Sequence, residues 1–232
     1  MSNENYYFVF EIFAYLNTIL LVIYCVVCIF YFNKLKNKIL KNVAFYLIFC
    51  ALFDLTSYIL KFFIENRELL TTVSMAFRLL FRLGELWIVG YLLNYHFIKS
   101  KFVWFLMVLC SLYIFYDFFV FQNVGIERYI AFAQITTNIL LILLVVYNLL
   151  KQLKHDKPFS MSNQMLCLVF LTYFSIHLVF AVFQNFTNNQ DFTKSSFTLF
   201  YSIFVGLHLV YYFSIALILY KSYKNVNFIN TN

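Results

Sequence analysis

The sequence predicts an all-α membrane protein, a seven-transmembrane-helix bundle with its N-terminus outside and its C-terminus in the cytoplasm. Three observations predict it. Of the 232 residues, 63% are hydrophobic and 12% charged, whereas an average soluble domain is about 45–50% apolar and about 25% charged. So few charges cannot cover a water-facing surface. The apolar residues fall into seven runs, each near the roughly 20 residues a helix needs to cross about 30 Å of hydrocarbon. Lysine and arginine, finally, alternate in abundance between the connecting segments. A transmembrane β-barrel would show alternating stretches of about 10 residues instead. The composition also excludes a disordered chain and a small disulfide scaffold. Gly 4 and Pro 1 exclude collagen-like and glycine-rich nucleotide-binding segments.

The first run covers about residues 7–32. Glu4 is the only charge ahead of Glu11, and the lysine cluster follows the run, so it reads as a retained span and not a cleaved signal peptide. It carries Asn17 and Thr18, and a Cys25-x-x-Cys28 pair that reads as packed small residues, since no second ligand pair accompanies it. The second run, 43–64, places Cys50, Asp54, Ser57, Tyr58 and Lys61 on one face. The third, 73–98, is the most polar, with Ser74, Arg78, Arg82, Glu85 and, near its end, His96. At 3.6 residues per turn, positions 78, 82 and 85 fall within about 60° of one another.

A charge at the bilayer centre costs about 2.5–3.5 kcal/mol even on the lenient insertion scale, so these groups are expected to face the interior and to pair. Counting depth from the helix ends matches Asp54 with Arg82 or Arg78, and Arg82 also reaches Glu85 at i,i+3. The fourth run, 102–121, places Asp117 close to the outer surface, where it and Glu11 are expected to reach the headgroups. The fifth, 129–150, carries Gln134, Thr137 and Asn138, and the sixth, 165–186, carries Tyr173, His177 and Gln184. The seventh, 197–220, carries Tyr201, His208, Tyr211 and Tyr212 and is followed by a polar tail. No soluble domain is expected. The longest connection, about 151–164, holds Pro158.

Orientation follows from the loops. One set holds Lys34, Lys36, Lys38, Lys41, Lys99, Lys101, Lys151, Lys154, Lys157, Lys221 and Lys224 against Asp156. The opposite set holds Lys61, Arg67, Arg128 and Lys194 against Glu4, Glu65, Glu68, Glu127 and Asp191. The bias alternates through all seven runs and puts the first set in the cytoplasm. The net charge of +7 is therefore a topology signal. No basic domain is present to neutralise a run of phosphates, so nucleic acid is not an expected partner; the lipid bilayer is. All five cysteines lie within spans, where no disulfide is expected.

The candidate ligand-binding or polar network is Asp54, Arg78, Arg82, Glu85, Asn138, His177 and His208, biased towards the outer half of the bundle. Polar groups of this kind also hold membrane helices in register without further function. Several chemistries lack their residues. The last helix has no mid-span lysine for a retinal Schiff base. Two mid-membrane histidines on different helices cannot build a three-histidine zinc site. No G-x-S-x-G elbow occurs, and no span holds proline, so the broken-helix transporter pattern is missing. No cofactor, metal or catalytic residue is assigned.

The stretch Phe77 to Trp87, FRLLFRLGELW, together with Asp54 and the closing Tyr220-Lys-Ser-Tyr-Lys, resembles a set of small bacterial seven-helix integral membrane proteins. That resemblance implies an N-out seven-helix bundle and no particular activity. The abundance of Asn, Lys, Ile, Phe and Tyr points to an AT-rich genome and a bacterial inner membrane. The favoured reading is a sensory or receptor-like module. It would bind a small anionic ligand near Arg78 and Arg82 and signal through a membrane or cytoplasmic partner. One alternative is a small-solute or proton-coupled transporter using Asp54, Glu85, His177 and His208 as a relay. Another is a lipid-modifying enzyme with Asp54 or Glu85 as general acid or base.

Overall fold

The computed structural model describes residues 3–33, 35, 37–64, 66–124, 132–154, 161–188 and 194–229. Seven α-helices follow one another among them: α1 Asn3–Phe32, α2 Lys38–Phe63, α3 Arg67–Leu93, α4 Lys101–Val124, α5 Phe132–Lys154, α6 Met161–Asn188 and α7 Lys194–Ile229. A π-helical turn, Asn94–Ile98, ends α3. Among the described residues there is no strand. Several charges of the orientation argument (Lys34, Lys36, Glu65, Glu127, Arg128, Asp156, Lys157 and Asp191), like Pro158, lie outside the described residues.

Six of the helices, all but α3, are long and apolar enough to cross a membrane, so the chain is a multi-pass membrane protein. The surface agrees: Phe30, Phe63 and Leu153 are 75%, 81% and 80% exposed, a pattern that water would oppose and lipid tails solvate. α3 is the exception because Arg78, Arg82 and Glu85 interrupt its apolar run. The helix ends follow from local chemistry. Asn37 Oδ1 accepts the N–H of Ile39 at 2.9 Å to cap α2, and Asn66 Oδ1 accepts that of Leu69 at 3.3 Å to cap α3. Hydroxyls within the helices turn to their own backbone: Thr18, Ser111, Thr137, Thr172, Ser202 and Ser214 each donate to the carbonyl four residues back. Lipid offers them no other partner. α7 runs nine residues beyond Tyr220, where the sequence suggested a polar tail; the segment KSYKNVNFI contains neither glycine nor proline to stop it.

The helices form two compact units. The first comprises Met1–Ala51, Val145–Tyr173 and Thr193–Asn232. There α1 lies against α7, with the Tyr31 and Tyr223 rings meeting edge to face at 4.9 Å. Its core is aromatic: Tyr46 and Phe170 are fully buried, and Tyr173 and Tyr211 stack at 3.7 Å between centroids. Tyr211 Oη donates to Tyr46 Oη at 3.1 Å, which satisfies a phenol that burial would otherwise penalise.

The second unit comprises Leu52–Leu144 and Phe174–Phe192. Its α3–α4 seam is closed by Trp87, whose Nε1–H donates to Ser111 Oγ at 2.9 Å, and by the stack of Trp87 on Trp104. Gly90 belongs to the same seam, since a Cβ there would come within 2.7 Å of Met107 Cε. Asp117 is buried rather than placed at the headgroups, which corrects the sequence reading. Its Oδ2 accepts the N–H of Ala133 at 3.1 Å. A carboxylate in the first turn of α5 meets both an orphan backbone donor and the positive end of the helix dipole.

Candidate functional site

The second unit contains the densest group of polar side chains that the sequence singled out. Arg82 projects from α3 into it. Its Nη1 lies 2.5 Å from Oε2 of Glu85, one turn further along the same helix, and Glu85 is fully buried. Its Nη2 lies 2.9 Å from Nε2 of His177 on α6, also buried. Two amides from α5 approach the other side of that imidazole: Gln134 Nε2 at 3.1 Å and Asn138 Nδ2 at 3.5 Å from Nδ1. Three helices thus converge on one histidine. The spacing explains it: Gln134 and Asn138 are one turn apart on α5, and Arg82 and Glu85 nearly so on α3, so each helix offers one face.

Hydrogen-bond chemistry fixes the protons. A guanidinium only donates, so Nε2 of His177 must accept and the imidazole is neutral with its proton on Nδ1. That proton needs an acceptor. Gln134 therefore presents its amide oxygen, the rotated assignment of an amide whose oxygen and nitrogen are chosen by their hydrogen bonds. Asn138 Nδ2 cannot donate to a protonated Nδ1, so that buried amide has one polar end unmet among the described residues, Oδ1 in its present orientation. A buried polar atom left so costs about 1–3 kcal/mol until a partner reaches it.

His208 belongs to the first unit and has a separate set of partners. Its Nδ1 lies 2.9 Å from the carbonyl of Phe204, which can only accept, so Nδ1 again carries the proton. Nε2 then accepts from Tyr173 Oη at 3.2 Å. We expect 15N spectra of histidine-labelled protein to show His177 and His208 as Nδ1–H tautomers, the less common form in water; Nε2–H signals assigned to either would refute these hydrogen-bond directions.

The remaining residues of the sequence-derived set fall in the second unit. Asp54 is half-buried on α2, and Arg78 is exposed on α3, one turn before Arg82. The cluster gathers Arg82, Glu85, Asn138 and His177 from that set and adds Gln134. Sequence reasoning noted Gln134 but did not include it. Its spacing of four residues from Asn138 was the available signal. Among the described residues no group of three or more His, Cys, Asp or Glu could hold a metal ion, and the cysteines are free thiols. No family model, characterised protein or solved structure matches this chain.

Proposed function

We propose that this chain is a seven-span, N-out membrane protein of a bacterial inner membrane that works as a sensory module. Its ligand site would be the polar cluster around Arg82, and its signal would pass to a membrane or cytoplasmic partner. The observation that carries the reading is the convergence of Arg82, Glu85, His177, Gln134 and Asn138 from three helices, with one end of the Asn138 amide left over. Packing alone does not call for so many polar groups around one imidazole, and the unmet amide end is where a ligand hydroxyl gains a bond. In the native host, a strain carrying Glu85→Gln should show the transcript profile of a deletion strain while the variant reaches wild-type levels in the membrane. A wild-type profile would refute the sensory reading and leave the cluster a packing device.

The seven-span topology rests on α3. With the turn that follows it, α3 runs 27 and then five residues, ample length at about 1.5 Å per residue. It must cross if Lys99 and Lys101 are to share a side with Lys38 and Lys41. The two ends of α4 test this. Lys101 and Asn123 are both exposed. In intact cells an impermeant maleimide should label Asn123→Cys and spare Lys101→Cys until the membrane is opened. The reverse pattern would overturn the orientation, and equal labelling of both would remove the α4 crossing.

A further inference from the structure

One face of α3 changes character along its length. From Arg78, the positions Arg82 and Glu85 lie about 40° and 20° away around the helix, while Leu69 and Leu80 lie about 160–180° away. Leu69 and Leu80, 53% and 48% exposed, mark the outward, lipid-facing side. Arg78 therefore lies on the inward side, with the buried residues Glu85 and Val89, yet it is exposed. Along that inward face Thr71 and Ser74 are half-buried and Arg78 exposed, and beyond it exposure falls: the Arg82 side chain 12%, Glu85 0% and Val89 1%. α5 repeats the gradient in the same unit, from half-buried Gln134 to Asn138 and Leu141, both 0%. A helix merely packed in a bundle would be closed along its inward face.

The charges divide in the same order. Arg82 is compensated by Glu85 and held by His177. Arg78 has no hydrogen bond or ion pair assigned among the described residues.

We propose that the inward face of α3 is a binding site open at its Arg67 end, and that Arg78, not Arg82, is the group that takes the anionic part of a ligand, a phosphate or a carboxylate. Arg82 is a positioning residue that holds His177, beside the α5 amides, at the closed end. This deepens the sensory reading and rests on the same site. A phosphate can arrive from water or as the headgroup of a lipid entering from the bilayer, and the test separates the two.

The full chain in dodecyl maltoside, which carries no anionic group, is treated with p-hydroxyphenylglyoxal, and arginine modification is mapped by mass spectrometry. Arg78 should react at least ten times faster than Arg82. Inorganic phosphate should slow Arg78 several-fold if the anion comes from water. Phosphatidylglycerol alone should do so if it comes from lipid. Equal rates for Arg78 and Arg82, or an Arg78 rate that neither probe changes, overturns the proposal. The host transcript test is independent of the labelling. Protection of Arg78 with a wild-type Glu85→Gln profile keeps this site and rejects sensing; no protection with a deletion-like profile does the opposite.

Discussion

Glu85→Leu should destabilise the protein by about 3–5 kcal/mol, the usual cost of removing one partner from a buried ion pair. Glu85 is fully buried, and its carboxylate is the counter-charge 2.5 Å from Arg82. Without it, a guanidinium that is 12% exposed keeps its charge and loses the carboxylate paired with it. Because a little of Arg82 is exposed, the lower part of that range applies. The double variant Arg82→Met, Glu85→Leu should recover most of the loss, since replacing a whole buried pair by apolar groups of similar volume is often neutral or better. In that variant the His177 proton is free to move to the other ring nitrogen, where an α5 amide N–H can donate to Nδ1. Equilibrium unfolding in dodecyl maltoside measures the three differences. A double variant as unstable as the single one would mean that the pair contributes through shape and not charge.

That experiment also separates what the sequence disclosed from what it did not. The Arg82–Glu85 pair was legible, because i,i+3 neighbours on a helix meet whatever the tertiary structure does. The contact of Arg82 with His177 was not: the two are 95 residues apart, and depth counting, which weighs formal charge, does not pick out a neutral acceptor. The helices themselves were legible from apolar run length, but α2 and α3 start five and six residues before the expected spans, where Asn37 and Asn66 cap them, and α7 ends nine residues after its own. Asp117 was misread for a physical reason. A carboxylate near a span end ordinarily reaches the headgroups, and only the position of the α5 N-terminus, a tertiary fact, gives it a buried donor instead. Arg78 and Arg82 look equivalent in sequence, one turn apart on one stripe. Their difference in exposure arises from which neighbours extend to each level, and local pattern does not encode that.

The turn after α3 was not visible either, and it carries the second large prediction. Asn94→Leu should cost about 1–3 kcal/mol. Asn94 is fully buried and bridges the turn with both ends of its amide: Nδ2 donates to the Ser100 carbonyl at 3.0 Å, and Oδ1 accepts the Ser100 N–H at 2.9 Å. Its own carbonyl accepts the N–H of Lys99 at 2.6 Å, the wide closure of a π-helical turn. Lys99 then reverses the chain with φ 58°, a left-handed conformation that ordinarily favours glycine. The amide thus replaces the glycine cap. It holds the chain in a turn that Lys99 disfavours and meets the Ser100 N–H, which α4 cannot satisfy at its start. Leucine fills similar space but leaves that N–H unmet, at about 1–3 kcal/mol where it stays dry. Lys99→Gly should have the opposite sign and a smaller size, a gain below about 1 kcal/mol, because relief of the left-handed strain is partly offset by the greater freedom of the unfolded chain. Unfolding of both variants in the same detergent gives the comparison. If Asn94→Leu is neutral, water reaches the Ser100 backbone and the amide is not the clamp.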